Sequence, residues 1–177
     1  MYESESDMLF IKEPQNEICE IEKTELYKKL ISSNGVKTVE YLRTHRMKDN
    51  RQALTWIEAK TTFANPRTNQ NFESQINEIS EKFAQSLELF AAVMMNKLPD
   101  SEFEFEMFRR IFSEAQFQMI LVIKKYKTEW LQPVADALHK KLKRHWKIWN
   151  LNPNRDILVL NEELAIKFRL IQQKTEN

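Results

Sequence analysis

The chain predicts a mixed α/β domain, a central sheet with a β-hairpin at one side and helices flanking it. Three observations carry this. Val36 to Thr44 and Ala53 to Thr61 are β-favouring runs separated by the turn-like Met47-Lys48-Asp49-Asn50-Arg51, the pattern of a hairpin. Phe72, Ile76, Ile79, Phe83, Leu87, Phe90 and Met94 recur at steps of three and four, one apolar helix stripe over about six turns. Phe117 to Lys124 is a nearly continuous apolar run, as in a strand buried on both faces. Strands separated by helices pair in parallel through right-handed crossovers.

The remaining elements follow from local chemistry. Residues 1–7 are acidic and polar and are expected to fray, and Met8-Leu9-Phe10-Ile11 reads as a short edge strand. Ile18, Ile21, Leu26, Leu30 and Ile31 fit a helical face loosely. Thr24 is placed to cap a helix beginning at Glu25. Ser32-Ser33-Asn34-Gly35 breaks it, with Gly35 just past the helix end. Asn65-Pro66-Arg67 closes the hairpin and Leu98-Pro99-Asp100 stops the long helix. Residues 100–115 carry phenylalanines among acids and arginines and receive no assignment. Pro133 suits the first turn of a helix running to about Trp146, with Val134, Leu138 and Leu142 inward. Asp156 to Leu160 reads as a last strand. Asn161 can cap a terminal helix containing Leu164, Phe168 and Ile171.

Composition narrows the function classes. The 177 residues form one domain of ordinary size, 42% hydrophobic and 30% charged, long enough to bury a core. A net charge of +1 means that any nucleic-acid contact rests on a local patch. The one cysteine, Cys19, excludes an internal disulfide or a cysteine-built zinc site, and a catalytic thiol lacks a nearby histidine. The one glycine, Gly35, excludes glycine-rich phosphate loops. No apolar run reaches the roughly 18 residues that a membrane span needs. The acidic N-terminus is unlike a signal peptide, so a cytoplasmic location is expected.

The chemistry-bearing stretch is Leu54-Thr55-Trp56-Ile57-Glu58-Ala59-Lys60-Thr61-Thr62. Strand alternation puts Glu58 and Lys60 on one face. If Asp49 is the centre of the turn, Glu40 faces Glu58 across the hairpin and the three side chains converge. A slip of one residue sends Glu40 to the other face. Paired carboxylates suit Mg²⁺ or Mn²⁺, which takes one or two of them with waters and phosphate oxygens. Bound metal acidifies water and offsets phosphate charge. A neighbouring lysine orients or deprotonates that water, or stabilises the oxyanion. With 26 acids in the chain, acid-x-lysine is expected about two or three times by chance, so the strand context gives the match its weight. The bland alternative is a cross-strand ion pair on a solvated face.

Strand, turn, a strand ending in apolar-Glu-x-Lys, a long helix and further β and α elements together resemble the PD-(D/E)xK nuclease superfamily, the restriction-endonuclease-like fold. Val39-Glu40-Tyr41-Leu42-Arg43 matches the first acid position and Trp56-Ile57-Glu58-Ala59-Lys60 the second motif. The likeness spans roughly residues 20–130 in element order, and its motifs cover about a dozen residues. It implies metal-dependent cleavage of DNA or RNA, with Glu40 and Glu58 on Mg²⁺ or Mn²⁺ and Lys60 assisting water attack. The first acid is Glu where Asp is usual, and there is no Pro-Asp. Asp49 is an alternative first acid, but it sits in the turn. Glu22 or Glu25 would fill the family's preceding-helix acid, and Gln75 its following-helix glutamine. Many proteins of this fold have lost catalysis, so the alternative is an inactive nuclease-fold protein acting as an interaction or regulatory module. A third reading is an unrelated α/β binding protein.

His139 to Lys147 is a basic run on a helix. Lys140, Lys143, Arg144 and Lys147 are its candidates for contact with a nucleic-acid backbone, against the plainer reading of a solvated helix end. His45, His139 and His145 lack metal-ligand spacing. Trp56, Trp130, Trp146 and Trp149 suit base stacking, or core and rim packing. Exposure of part of the Phe72–Met94 stripe would fit a homodimer through that helix.

Overall fold

The structure is a computed structural model that describes all residues except 1, 4, 5, 7, 12–17, 32–33, 48, 69, 99–105 and 173–177. Of residues 2, 3, 30, 31, 106 and 107 it describes the backbone alone. Strands β1 (Tyr2–Glu3) and β2 (Leu9–Phe10) precede β3 (Ile18–Glu20). The hairpin is β4 (Tyr41–Arg46) and β5 (Gln52–Lys60). Helix α1 (Phe72–Met94) and the short α2 (Glu106–Ile111) lead to β6 (Gln116–Ile123). Then come α3 (Thr128–Lys141), α4 (Lys143–Ile148), α5 (Pro153–Asp156), β7 (Ile157–Asn161), α6 (Glu162–Lys167) and β8 (Ile171–Gln172).

The main sheet has the order β3-β4-β5-β6-β7. Its β3-β4-β5 part is antiparallel, whereas β5-β6 and β6-β7 are parallel. The class is therefore α/β, with a mixed five-stranded sheet flanked by helices. Parallel neighbours need crossovers, and α1 and α3 supply them. Both helices cover one face, where Leu42, Leu54, Trp56, Met119 and Leu121 meet Ile76, Ile79, Phe83, Leu87, Val134 and Leu138. Each fully buried side chain of that stripe contributes roughly 1.5–3 kcal/mol through removal from water. The other face carries Tyr41, Ile57, Ala59, Ile120 and Val122 under Phe10, Ala165, Leu170 and Ile171. There β1, β2 and β8 form a small antiparallel sheet.

Local chemistry explains the element ends. Thr24 accepts from Tyr27 N at 3.2 Å, capping the turn that begins at Glu25. Asn161 Oδ1 accepts from Leu164 N at 3.0 Å and starts α6. Gly35 takes φ +70°, the left-handed conformation that suits it to follow a helical turn. The loops after β5, β6 and β7 are tied together. Lys124 N donates to Lys60 O at 2.9 Å, Tyr126 Oη to Ala64 O at 2.7 Å, and Asn161 Nδ2 to Tyr126 O at 3.1 Å.

Several expectations need correction. Val36 to Glu40 are not ladder residues, because α1 captures this segment. Gln85 Oε1 takes Lys37 N at 2.6 Å and Ser86 Oγ takes Val39 N at 2.9 Å. Pro133 lies inside α3, not in its first turn. The helix begins earlier because Leu131 is buried and Trp130 packs edge-on to Tyr126 at 5.3 Å. The basic helix also breaks at Leu142 into α3 and α4. Ile171 belongs to β8, opposite Phe10; Arg169 at φ +56° reverses the chain first and leaves Phe168 57% exposed. The Met8–Ile11 run is a middle strand rather than an edge, and Tyr2–Glu3 pairs with it instead of fraying. Residues 1, 4, 5 and 7, Ser32-Ser33, Pro99-Asp100 and 101–105 lie outside the described residues. Part of the previously unassigned 100–115 segment is α2, whose Phe108 is buried.

Candidate functional site

Glu58 stands near the end of β5 on the face that α1 covers. Its neighbours on that face, Leu54 and Trp56, are core residues, so an acid here is a deliberate exception to an apolar surface. Glu58 is 0% exposed. Lys82 Nζ donates to its Oε1 at 2.8 Å, and Lys60 Nζ lies 3.3 Å from the same oxygen. Lys60 also donates to Glu78 Oε1 at 2.9 Å. Glu58 Oε2 is buried and has no hydrogen-bond partner among the described residues. Lys82 and Glu78 reach this point because Ile79 and Phe83, beside them on α1, are locked in the core.

The hairpin register is centred on Asp49. Its pairs run from Arg46 with Gln52 to Tyr41 with Ile57. Glu58 continues β5 one step beyond the last pair, whereas Glu40 precedes β4 and lies outside the ladder, and Val39 shares the α1-side core with Leu42, so the alternation expected to bring Glu40 opposite Glu58 does not run through this segment. Glu40 sits at a bend just before β4, half-buried, and its carbonyl accepts from Ile21 N at 3.2 Å. Its Oε2 is buried, as is that of Glu58. Next to Lys82, α1 borders an open cleft of about 510 Å³ lined by Lys37, Ser74, Asn77, Glu78, Glu81 and Lys82. Lys82 therefore touches the buried acid and the cleft at once, with its side chain 17% exposed.

The charges are strongly coupled. Burial pushes the Glu58 carboxyl above its ordinary value, against the opposite pull of Lys82 and Lys60. Partial burial works to lower Lys60, but its contacts with Glu78 and Glu58 outweigh that and leave the ammonium raised. Lys60 is therefore a proton donor and a fixed positive charge at neutral pH, not a base. The hydrogen bond from Lys60 holds Glu78 below the usual carboxylate range. Among the described residues no cluster of three or more His, Cys, Asp or Glu is arranged around a metal position. Glu58 offers a buried carboxylate oxygen of the kind that Mg²⁺ or Mn²⁺ takes alongside waters and phosphate oxygens. The bare Glu58 Oε2 is a donor atom that fits such an ion.

The other sequence candidates lie elsewhere. Asp49 is exposed in the turn, held by Arg51 at 2.7 Å and lowered by that hydrogen bond. At about 3.3 Å per residue it sits some 25 Å or more from Glu58 along the hairpin. Glu25 is engaged by Lys28 and Lys29 of its own turn, at 3.4 and 2.9 Å, and Glu22 is exposed. Gln75 accepts from Ala64 N at 2.7 Å, which ties the loop after β5 to α1. Lys140, Lys143, Arg144 and Lys147 are exposed on α3 and α4. Trp56 is core, edge-on to Phe90 and Phe117 at 5.5 and 5.1 Å, and is closed to base stacking. His139 Nε2 lies 3.0 Å from Ile157 O, a packing contact rather than a ligand position. The stripe of α1 is buried from Ile76 to Phe90 and offers no apolar dimer face there.

Sequence reasoning missed Lys82 and Glu78. Their signal was present: an i,i+4 acid–lysine pair flanking the apolar stripe. Only the packing of α1 across β5 gives that pair its partner. Family models, curated proteins and solved structures give no match to this chain. Among the described residues no helix is long and apolar enough to cross a membrane.

Proposed function

We propose that this domain hydrolyses phosphodiester bonds of nucleic acid in a metal-dependent reaction, through a PD-(D/E)xK-like site made of Glu40, Glu58 and Lys60. The observation that carries the reading is Glu58 itself, a wholly buried carboxylate with one bare oxygen. Lys60 lies two residues on along the same strand, and Glu40 immediately precedes Tyr41, the first paired residue of β4. Such an acid is expensive to keep in a core unless a cation is to be held there. Bound Mg²⁺ or Mn²⁺ would supply an acidified water and a counter-charge for the phosphate.

The chain's own residues do the rest. Glu58 and Glu40 offer their carboxylate oxygens as ligands. Lys60 keeps its proton and donates to a phosphate oxygen, favouring the more negative transition state over the ground state. Glu78 orients Lys60 through its 2.9 Å contact. Lys140, Lys143, Arg144 and Lys147 would neutralise backbone phosphates on an approaching strand. The second reading, an inactive module of the same fold, is favoured by the position of Lys82 on Glu58 Oε1.

Incubation of single- and double-stranded DNA and RNA with the full chain and Mg²⁺ or Mn²⁺ separates the two. Cleavage that falls about 100-fold or more in Glu58→Gln and in Lys60→Ala is expected, a loss of the size seen when one charge-stabilising group is removed. Cleavage that survives both changes, or no cleavage of any of the four substrates, removes the catalytic reading.

A further inference from the structure

Glu58 Oε1 already holds a cation, and that cation belongs to the chain. We infer that Lys82 is an internal stand-in for the divalent ion: metal binds Glu58 only by displacing the Lys82 ammonium, which then turns into the adjoining cleft. The inference rests on the metal-site reading above.

Four observations support it. Lys82 Nζ makes the shorter of the two ammonium contacts with Glu58, 2.8 Å against 3.3 Å from Lys60. Lys60 is anchored in addition by Glu78 at 2.9 Å, whereas among the described residues Lys82 makes its ion pair with Glu58 alone. Lys82 is therefore the contact more readily given up. It also has somewhere to go. It lines the cleft together with Glu78 and Glu81. Glu78 lies one turn earlier on the same helix, and an acid four residues before a lysine is the favourable order for a helix pair. Finally, Oε2 of Glu58 has no hydrogen-bond partner among the described residues, so an incoming ion finds that oxygen, and Oε1 keeps only the longer Lys60 contact once Lys82 leaves.

The arrangement has a thermodynamic signature. While Lys82 sits on Glu58 the competent state is a minor one, and the apparent metal affinity is reduced by the fraction of molecules in which the lysine has left. Removing the ammonium should raise that fraction towards one. It should also leave the metal-free protein with a poorly compensated buried charge, which added metal then relieves.

The test is Mn²⁺ binding to the full chain, followed by electron paramagnetic resonance and by thermal unfolding, in the wild type, Lys82→Met and Glu58→Gln. Expected are binding that needs Glu58, an affinity about tenfold or more higher in Lys82→Met, and a larger rise of Tm with Mn²⁺ in that variant than in the wild type. If binding needs Glu58 but Lys82→Met binds no tighter, displacement is wrong and the metal site stands. If neither the wild type nor Lys82→Met binds Mn²⁺, the metal site and the displacement fall together. Should Lys82→Met not fold, Lys82→Gln, one atom shorter than lysine, keeps a hydrogen-bond donor without the charge, and the same tightening is expected of it.

Discussion

Replacing the Glu58–Lys82 pair by a double-mutant cycle gives the most discriminating stability prediction. Lys82→Met leaves Glu58 in the core with only the 3.3 Å Lys60 contact. Breaking a buried pair costs about 3–5 kcal/mol; the surviving Lys60 charge reduces this to about 2–3 kcal/mol by the same reasoning. Glu58→Leu leaves Lys82 at the edge of a cleft that Glu78 also lines. A lysine there can carry its head into water, so the loss should be no more than about 1 kcal/mol. The double variant replaces the pair by apolar groups of similar size. It should match the wild type or exceed it by up to about 2 kcal/mol. The expected coupling is then about 2–6 kcal/mol, far above the few tenths found for independent sites.

Urea unfolding at fixed m-value reads these differences. In a chain of this size each kcal/mol moves Tm by about 2–4 °C. The pH dependence supplies a check. The Glu58 carboxyl is raised above 4.5 by burial, so the folded protein binds that proton more tightly than the unfolded chain. This favours the fold below pH 4.5 and is lost as pH rises through the folded value. The deficit of Lys82→Met should therefore be smaller at pH 5 than at pH 8. Single changes that add within about 0.5 kcal/mol, or a double variant about 3 kcal/mol less stable than the wild type, would refute the reasoning and make Glu58 a structural keystone.

Phe83→Asp and Ile79→Asp each put an unpaired charge where the side chain is now 0% exposed. Both should lose their helical circular dichroism at 25 °C, and a folded, soluble variant of either would mean that α1 packs elsewhere. Tyr126 donates to Ala64 O at 2.7 Å, and burial pushes its phenol up to about 12 from 10.0. Absorbance at 295 nm should show one tyrosine ionising late. Its contribution is present below pH 10 and is lost as pH rises through about 12. Tyr126→Phe should lower stability by about 1 kcal/mol and abolish the late step.

Periodicity made the main features of this fold legible. The α1 stripe, the apolar β6 and the Asn161 cap are properties of short windows, and the hairpin register followed from the turn lying at Asp49. Long-range capture was not legible. Residues 36–39 look like strand by composition, but Gln85 and Ser86 of α1 take their amides. Ile171 looks like the end of a helix until Phe10, far away in sequence, pairs with it. The same limit applies at the candidate site. Glu58 and Lys60 were legible because two residues along a strand share a side. Lys82 and Glu78 were not, because they lie across a helix–sheet interface whose registry is set by the packing of Ile79 and Phe83. Gln75 shows the reverse error, a polar residue on the right helix whose amide oxygen serves the backbone of Ala64.

The cross-ties among the segments that follow β5, β6 and β7 bear on how this rim would greet a visitor. Lys60, Ala64, Lys124, Tyr126 and Asn161 are joined by hydrogen bonds of 2.7 to 3.1 Å, so these three segments shift as one piece. A polyanion arriving beside Lys60 would meet a seat with its shape already set and would forfeit little chain freedom in settling there. Loosening one knot, as Asn161→Ala would, slackens the platform and should show first as faster amide exchange along all three segments together.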